Sequence, residues 1–281
     1  MAELLVVRPG PLTTVQDLGR RGVAHLGVPR AGALDEPALR AANRLLGNPP
    51  EAAGLETTLG GTALRASAPL LVAVTGAPAP VRVDGRPAAW GAAVRVPAGA
   101  LLEVGAATSG VRSYLAVAGG IAVPPVLGSR SADLLSGLGP APLAEGDRLP
   151  VGTVRPGPAA ELVPLPGPPR ELVLGLLPGP HADWFAGPPP GAGYRVAAAS
   201  NRIGLRTEGP PVARRHGGEL PSEGMLLGAV QVPPDGLPVV FLADHPTTGG
   251  YPVIGVVPRA DLAAAAQARP GTPLRFVPRR R

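Results

Sequence analysis

The 281-residue sequence predicts a mainly β protein, built as two related β-barrel-like domains with a few short helices. Three observations carry this reading. Apolar residues make up 45% of the chain but aromatics only 3%, so small aliphatic side chains have to fill the core. The 40 Gly and 39 Pro are scattered between short apolar runs without a collagen or linker period, as expected when many tight turns join many strands. Four short motifs recur in one order, about 125–137 residues apart, which suggests a duplicated β unit.

Taken in order, Leu4–Val7, Leu55–Leu59, Leu70–Thr75, Val81–Val83, Val94–Val96, Leu101–Val104 and Arg112–Ala118 are short, β-branched or alternating runs bounded by Gly or Pro, and read as strands. Asp84-Gly85, between Val81–Val83 and Ala88–Trp90, is a hairpin signal, because both central residues of a type I′ turn need positive φ. Glu36–Leu46 reads as a helix: Asp35 caps it, Leu39, Ala42 and Leu46 share a face, and Gly47 with Pro49 stops it. Further on, Leu172–Leu177, Tyr194–Ala198, Ala229–Val232, Pro238–Ala243 and Pro252–Val257 read as strands, and Asp261–Ala268 as an Ala-rich helix. The domains expected are 1–160 and 168–281, with a Pro-rich connector near 156–170. The recurring motifs are Gly91–Gly99 with Gly228–Gly236, Tyr114–Gly120 with Phe241–Gly250, Arg130–Leu134 with Arg259–Leu262, and Gly146–Leu149 with Gly271–Leu274.

Composition also limits the chemistry. The absence of cysteine excludes disulfides, thiolate metal sites and a cysteine nucleophile. The net charge of +6 invites a nucleic-acid reading, but every basic side chain is Arg, many lie among acids, and few aromatics are available for base stacking. No apolar run approaches a membrane span, and the N-terminus lacks a basic segment before its short apolar run, so a cytoplasmic protein is expected. The four histidines, His25, His181, His216 and His245, show no i,i+4 pair, so no metal site is expected. There is no P-loop and no lysine, hence no attachment point for biotin on this chain.

The chemistry-bearing residues cluster from Glu219 to Tyr251. Asp244-His-Pro-Thr-Thr-Gly-Gly-Tyr251 places a carboxylate, an imidazole, hydroxyls and a phenol directly after an apolar strand, a common way to mount a site. Asp244, His245 and Thr248 are the catalytic candidates. Asp244 or His245 would act as general base or orienting group, and a histidine titrates near neutral pH. Thr247, Thr248 and the Gly249-Gly250 amides suit an oxyanion or carboxylate, with Tyr251, Glu223 and Gln231 beside them. A structural Asx or Ser/Thr turn is the competing reading of the loop. Ser222 has no nucleophile-elbow pattern around it. Asn201 and Arg202 supply an amide and a guanidinium for an anionic ligand, with surface ion pairing as the alternative. A second polar, Gly-punctuated region, Thr13–Asp35, contributes Gln16, Asp17 and His25.

These motifs resemble a family. Val15-Gln-Asp-Leu-Gly-Arg-Arg-Gly22, His25-Leu-Gly-Val-Pro29, Gly32-Ala-Leu-Asp35 and Ala42-Asn-Arg-Leu-Leu-Gly-Asn-Pro49 are similar to the N-terminal signature of the biotin-dependent carboxyltransferase-like family. Ser222-Glu-Gly224, Gly228–Gly236 and Leu242-Ala-Asp244 with Thr247–Pro252 resemble its C-terminal signature. The resemblance covers nearly the whole chain. It implies two cyclophilin-like β-barrels. It also implies the role of the C component in an ATP-dependent 5-oxoprolinase, which converts 5-oxo-L-proline to L-glutamate, with ATP held through the complex. The partners implied are a KipI-like protein and a LamB/YcsF-type protein, with this chain inactive alone. The same family implies two alternatives: a carboxyltransferase component acting on a urea- or amide-like substrate, and a non-catalytic regulator that binds a KipI-like protein.

Overall fold

The computed structural model describes residues 2–280 except 155–159, 162, 165, 188, 190, 192 and 219, so part of the expected connector, and Glu219, lie outside the described residues. The described chain is mainly β and divides into two units. The first comprises Met1–Arg20, Asp35–Asp133 and Gly137–Pro168, and the second Arg21–Leu34, Leu134–Ser136 and Pro169–Arg281. The stretch 21–34, expected in the N-terminal domain, therefore packs with the C-terminal one. The Ala31 amide donates to the Ala243 carbonyl at 3.0 Å, Arg202 Nη2 donates to the Gly32 carbonyl at 2.8 Å, and buried Leu34 belongs to the second unit's core.

In the first unit the strands are β1 (Glu3–Arg8), β2 (Leu12–Gln16), β3 (Gly54–Thr58), β4 (Thr62–Ala66), β5 (Leu70–Gly76), β6 (Val81–Val83), β7 (Arg86–Ala88), β8 (Ala93–Val96), β9 (Leu101–Val104), β10 (Arg112–Val117) and β11 (Arg148–Pro150). They form two sheets, ordered β11-β1-β4-β9-β6-β7 and β2-β3-β10-β5-β8. On β1 the buried residues alternate, Leu4 and Val6 pointing inward, as a one-sided strand requires. All six residues of β10 are buried, because helix α1 (Glu36–Leu45) covers β10 and β5 on the face opposite the main core. Asp35 Oδ1 caps that helix by accepting from the Ala38 amide at 3.0 Å. The β6–β7 turn has Asp84 at φ 47° and Gly85 at φ 74°, the conformation an Asp-Gly pair predicts.

The second unit's strands are β12 (Leu172–Pro178), β13 (Tyr194–Val196), β14 (Gly204–Glu208), β15 (Glu223–Gly224), β16 (Ala229–Gln231), β17 (Val239–Phe241), β18 (Thr248–Gly249), β19 (Val253–Val256) and β20 (Pro273–Pro278). Seven of them close a barrel in the order β12-β19-β16-β17-β14-β13-β20, sealed by parallel pairing of β20 with β12. Helix α2 (Arg259–Gln267) contributes Leu262, Ala265 and Ala266 to the barrel core. The remaining two strands, β15 and β18, form a separate antiparallel ribbon.

The recurring motifs do not occupy equivalent positions. Gly91–Gly99 carries β8, which pairs with β5, whereas Gly228–Gly236 carries β16, which pairs with β17 and β19. Arg130–Leu134 lies outside helices and strands, while Arg259–Leu262 opens α2. These motifs therefore have different strand partners or local structure in the two units.

Candidate functional site

The candidate residues fall into five settings. In the first unit, Gln16 and Asp17 are both buried at the end of β2. Gln16 Nε2 donates to Thr14 Oγ1 at 3.0 Å and to the Ala132 carbonyl at 3.1 Å. Asp17 Oδ1 accepts from the Gly19 amide at 2.8 Å and from the Ser129 and Ser131 hydroxyls, both at 2.6 Å; Oδ2 accepts from the Arg130 amide at 2.7 Å. These hydrogen bonds pin the segment 129–131 to the end of β2. His25, in the second unit, is exposed on a single 3₁₀ turn, Ala24–Leu26.

Asp244 and Arg202 form a buried ion pair. Arg202 Nε donates to Asp244 Oδ2 at 2.9 Å and Nη2 to Oδ1 at 2.8 Å, with the two residues 1% and 0% exposed. The Leu134 amide also donates to Asp244 Oδ2, at 3.2 Å. This is the two-pronged geometry that suits guanidinium and carboxylate, and it makes the pair an anchor for the end of β17. Asn201 does local work beside it, its Oδ1 accepting from the Ile203 and Gly204 amides at 2.9 and 3.2 Å in a turn.

His245 begins the loop after β17. Its ring lies parallel to Phe241, centroids 5.7 Å apart, and Nδ1 is 2.7 Å from the Pro246 carbonyl oxygen. A carbonyl only accepts, so Nδ1 carries a hydrogen.

The structure brings the remaining candidates together. Glu223 pairs with Gly249 and Gly224 with Thr248 across the ribbon, and the Met225 amide donates to the Thr247 carbonyl at 2.8 Å. Thr248 and Tyr251 are exposed, Gly250 lies between them, and Gln231 Nε2 donates to the Tyr251 carbonyl at 3.1 Å. Beneath the ribbon is a small apolar cluster of Met225, Ala229, Val239, Phe241 and Val253. A Cβ on Gly249 would lie 2.9 Å from Gln231 Nε2, so any larger residue there would push the Gln231 amide aside.

One residue that the sequence does not single out completes this patch. His181 takes both backbone groups of Val253: its own amide donates to the Val253 carbonyl at 3.2 Å, and its Nδ1 accepts from the Val253 amide at 3.2 Å. Glu223 Oε1 is 3.5 Å from the same Nδ1. One ring nitrogen cannot accept from an amide and donate to a carboxylate at once; the shorter contact, from an amide that can only donate, decides the tautomer. The ring also stands edge-on to Trp184, which in turn meets His216. The only hint in the sequence is Pro178-Gly-Pro-His181, a turn delivering an imidazole; nothing in the spacing reveals Val253 as its partner. Gly179 makes the approach possible, since a Cβ there would lie 2.6 Å from the Val253 carbonyl oxygen. Gly179→Ala is therefore expected to lower the unfolding free energy by about 1–3 kcal/mol, measured by guanidinium denaturation.

A cavity of about 660 Å³ in the first unit is walled by Pro69, Leu70, Leu71, Val96 and Val151 with Arg95, and contains none of the candidate residues. Among the described residues no group of three or more His, Asp or Glu is arranged to hold a metal ion, and no helix is long and apolar enough to cross a membrane.

Residues 26–278 match the model of the carboxyltransferase domain, subdomain A and B. The chain belongs to that family. Within the carboxyltransferase-domain family it is 41% identical to the C component of the Escherichia coli K12 5-oxoprolinase, covering 98% of this chain and 90% of that protein. Among solved structures it is similar to TTHA0988, with a TM-score of 0.88 and 40% identity over 99% of this chain, spanning 56% of that longer one. It is also similar to the Kluyveromyces lactis urea amidolyase, with a TM-score of 0.85 and 31% identity over 98% of this chain, but only 18% of that one. The carboxyltransferase-domain family thus includes one component of a hydrolase complex and a portion of a much larger enzyme.

Proposed function

We propose that this chain is the C component of an ATP-dependent 5-oxoprolinase, acting with a KipI-like protein and a LamB/YcsF-type protein to open the lactam of 5-oxo-L-proline to L-glutamate. The observation that carries the reading is the 41% identity to a 5-oxoprolinase component across nearly the full length of both proteins. The patch around β15 and β18 is the part of the chain suited to this work. Hydrolysis adds water across the lactam C–N bond, so negative charge develops on the carbonyl oxygen while the leaving nitrogen gains a proton. Exposed Thr248 and the amides of the Gly249-Gly250 loop supply donors for that oxygen, with Tyr251 at the rim. Asp244 and Arg202, both buried at the barrel end, act as positioning residues that hold the loop. ATP is the complex's co-substrate, and this chain has no phosphate-cradling loop of the P-loop kind with which to bind it.

The likeness to urea amidolyase favours a second reading, a carboxyltransferase component acting on a urea- or amide-like substrate. Biotin would supply a carboxyl group there, and with no lysine in this chain it must arrive on another. Purifying the full chain with co-expressed KipI-like and LamB/YcsF-type proteins tests both. ATP-dependent glutamate release from 5-oxoproline is expected from the assembled complex and from none of its parts. An assembled complex that releases no glutamate overturns the leading reading, and urea carboxylation from a carboxybiotin-loaded carrier then supports the second.

A further inference from the structure

We propose that the cavity of about 660 Å³ in the first unit binds a single-chain aliphatic carboxylate, its chain against the apolar wall and its carboxylate on Arg95; the inference is independent of the functional reading above. The cavity opens where β5 begins and where β8, β10 and β11 end. Leu70 and Leu71 are the first residues of β5, Arg95 and Val96 the last of β8, and Ala118 and Val151 directly follow β10 and β11. Strand ends commonly leave backbone groups open to a ligand, but here several are already spent. The Ala118 amide donates to the Leu71 carbonyl at 2.8 Å, Val151 to Ala2 at 2.9 Å and Gly152 to Gly120 at 3.0 Å. Pro69 and Pro97, which flank β5 and β8, have no amide hydrogen to offer. Leu70, Val96 and Val151 are buried members of the unit's core and supply the apolar wall. A ligand with polar groups along its length loses water here without gaining partners, whereas an aliphatic chain loses nothing.

One charge completes the lining. Arg95 is the only ionisable side chain among the described residues that wall the cavity, and its guanidinium has no hydrogen-bond or ion-pair partner among them. Across β5 and β8, Arg95 lies directly opposite Leu71 and Val96 opposite Leu70. Directly opposed residues have Cβ atoms about 4.5–5.5 Å apart, so the base of the Arg95 side chain stands beside the apolar wall. A guanidinium without a counter-ion at the edge of an apolar volume is complementary to one carboxylate on an apolar chain. The volume lies within the range of cavities that hold small molecules. A peptide C-terminus also carries a carboxylate, but its amides would meet the spent strand ends unpaired.

Binding of hexanoate, octanoate, decanoate and decyltrimethylammonium to the full chain is followed by titration calorimetry below their micelle concentrations, with backbone amide shifts locating the site. Decanoate is expected to bind saturably, with shifts at Leu71, Val96 and Ala118. Affinity should rise about fourfold for each methylene added between hexanoate and decanoate. The cation of equal chain length should bind about tenfold more weakly than decanoate, and Arg95→Gln should weaken decanoate by about tenfold. Val154→Asp, which sets a carboxylate on the wall, should cost a similar factor. Arg95 and Val154 are both exposed, so neither change disturbs the core, and an unaltered unfolding midpoint checks that. No saturable binding of decanoate, equal affinity for the cation, or affinity independent of chain length overturns the proposal. Unchanged affinity in both variants, or shifts confined to the second unit, does the same. Tighter binding of a hydrophobic tripeptide acid than of decanoate would assign the cavity to a peptide terminus and also overturn it.

Discussion

Arg202→Ala is expected to lower the unfolding free energy by about 3–5 kcal/mol, a large share of the stability of an ordinary domain. The reason is the setting of Asp244, which is 0% exposed and takes two charged donors from the guanidinium. Removing the arginine leaves a buried carboxylate short of its counter-charge, and also releases the Gly32 carbonyl that Nη2 holds. The pair itself contributes much less than its rupture costs, because bringing two charges out of water cancels most of their attraction. The double substitution Arg202→Met with Asp244→Leu should therefore recover a large part of the loss. Urea denaturation of the single and double variants measures both. A single variant within about 1 kcal/mol of the parent chain would show that the pair is reached by water and does not anchor the loop.

The second large effect is alkaline. Burial pushes the Tyr194 phenol up to about 12, and Tyr114 is raised well above its ordinary value, first by burial and then by the neighbouring Glu56 and Asp35 carboxylates. A phenol whose folded pKa is raised keeps its proton in the native state after the unfolded chain has lost it. Its stabilising effect is therefore complete below the unfolded value near 10 and is lost as pH climbs towards the folded one. Each such group removes at most about 1.4 kcal/mol per pH unit in that window, so Tyr194 alone accounts for about 2 kcal/mol by pH 12. Tyr114 adds to the slope, since its hydroxyl donates to Glu56 Oε2 at 2.7 Å and accepts from the Asp35 amide at 2.8 Å. Unfolding midpoints measured from pH 8 to 12 should fall steeply above pH 10, and Tyr194→Phe should flatten the curve. An unchanged profile in that variant would mean the Tyr194 phenol ionises in the native state.

The strands most legible in the sequence are those whose burial is one-sided or complete, such as β5 and β10, because alternation or an unbroken apolar run marks them directly. Strands β2 and β4 escape such a reading for a physical reason. Leu12–Gln16 and Thr62–Ala66 include buried polar residues, among them Thr13, Thr14, Gln16 and Thr62, whose hydroxyls, like the Gln16 Nε2 donor, find partners internally. A hydropathy pattern cannot distinguish such positions from solvent-facing ones. The site is legible as a set of residue types but not as an arrangement. Asp244 and Thr248 are four residues apart in sequence, yet one is closed in by Arg202 and the other exposed on a ribbon. His181 joins that ribbon through a strand that is 72 residues further along the chain. Composition shows which side chains are present; only the closing of the barrel shows which of them meet.

Placing 21–34 in the second unit has a consequence for how the chain is made. That stretch leaves the ribosome early, yet the carbonyl that receives Ala31 and the guanidinium that holds Gly32 belong to Ala243 and Arg202. At roughly 5–20 residues per second, about 10–40 s separate the synthesis of Leu34 from that of Ala243. During that interval Leu34 has no barrel to enter, so the early segment waits in an unsatisfied state that a chaperone or a slow stretch of translation would have to tolerate. Cutting the gene between the two units would make that wait permanent, and the C-terminal fragment would lack a piece of its own core.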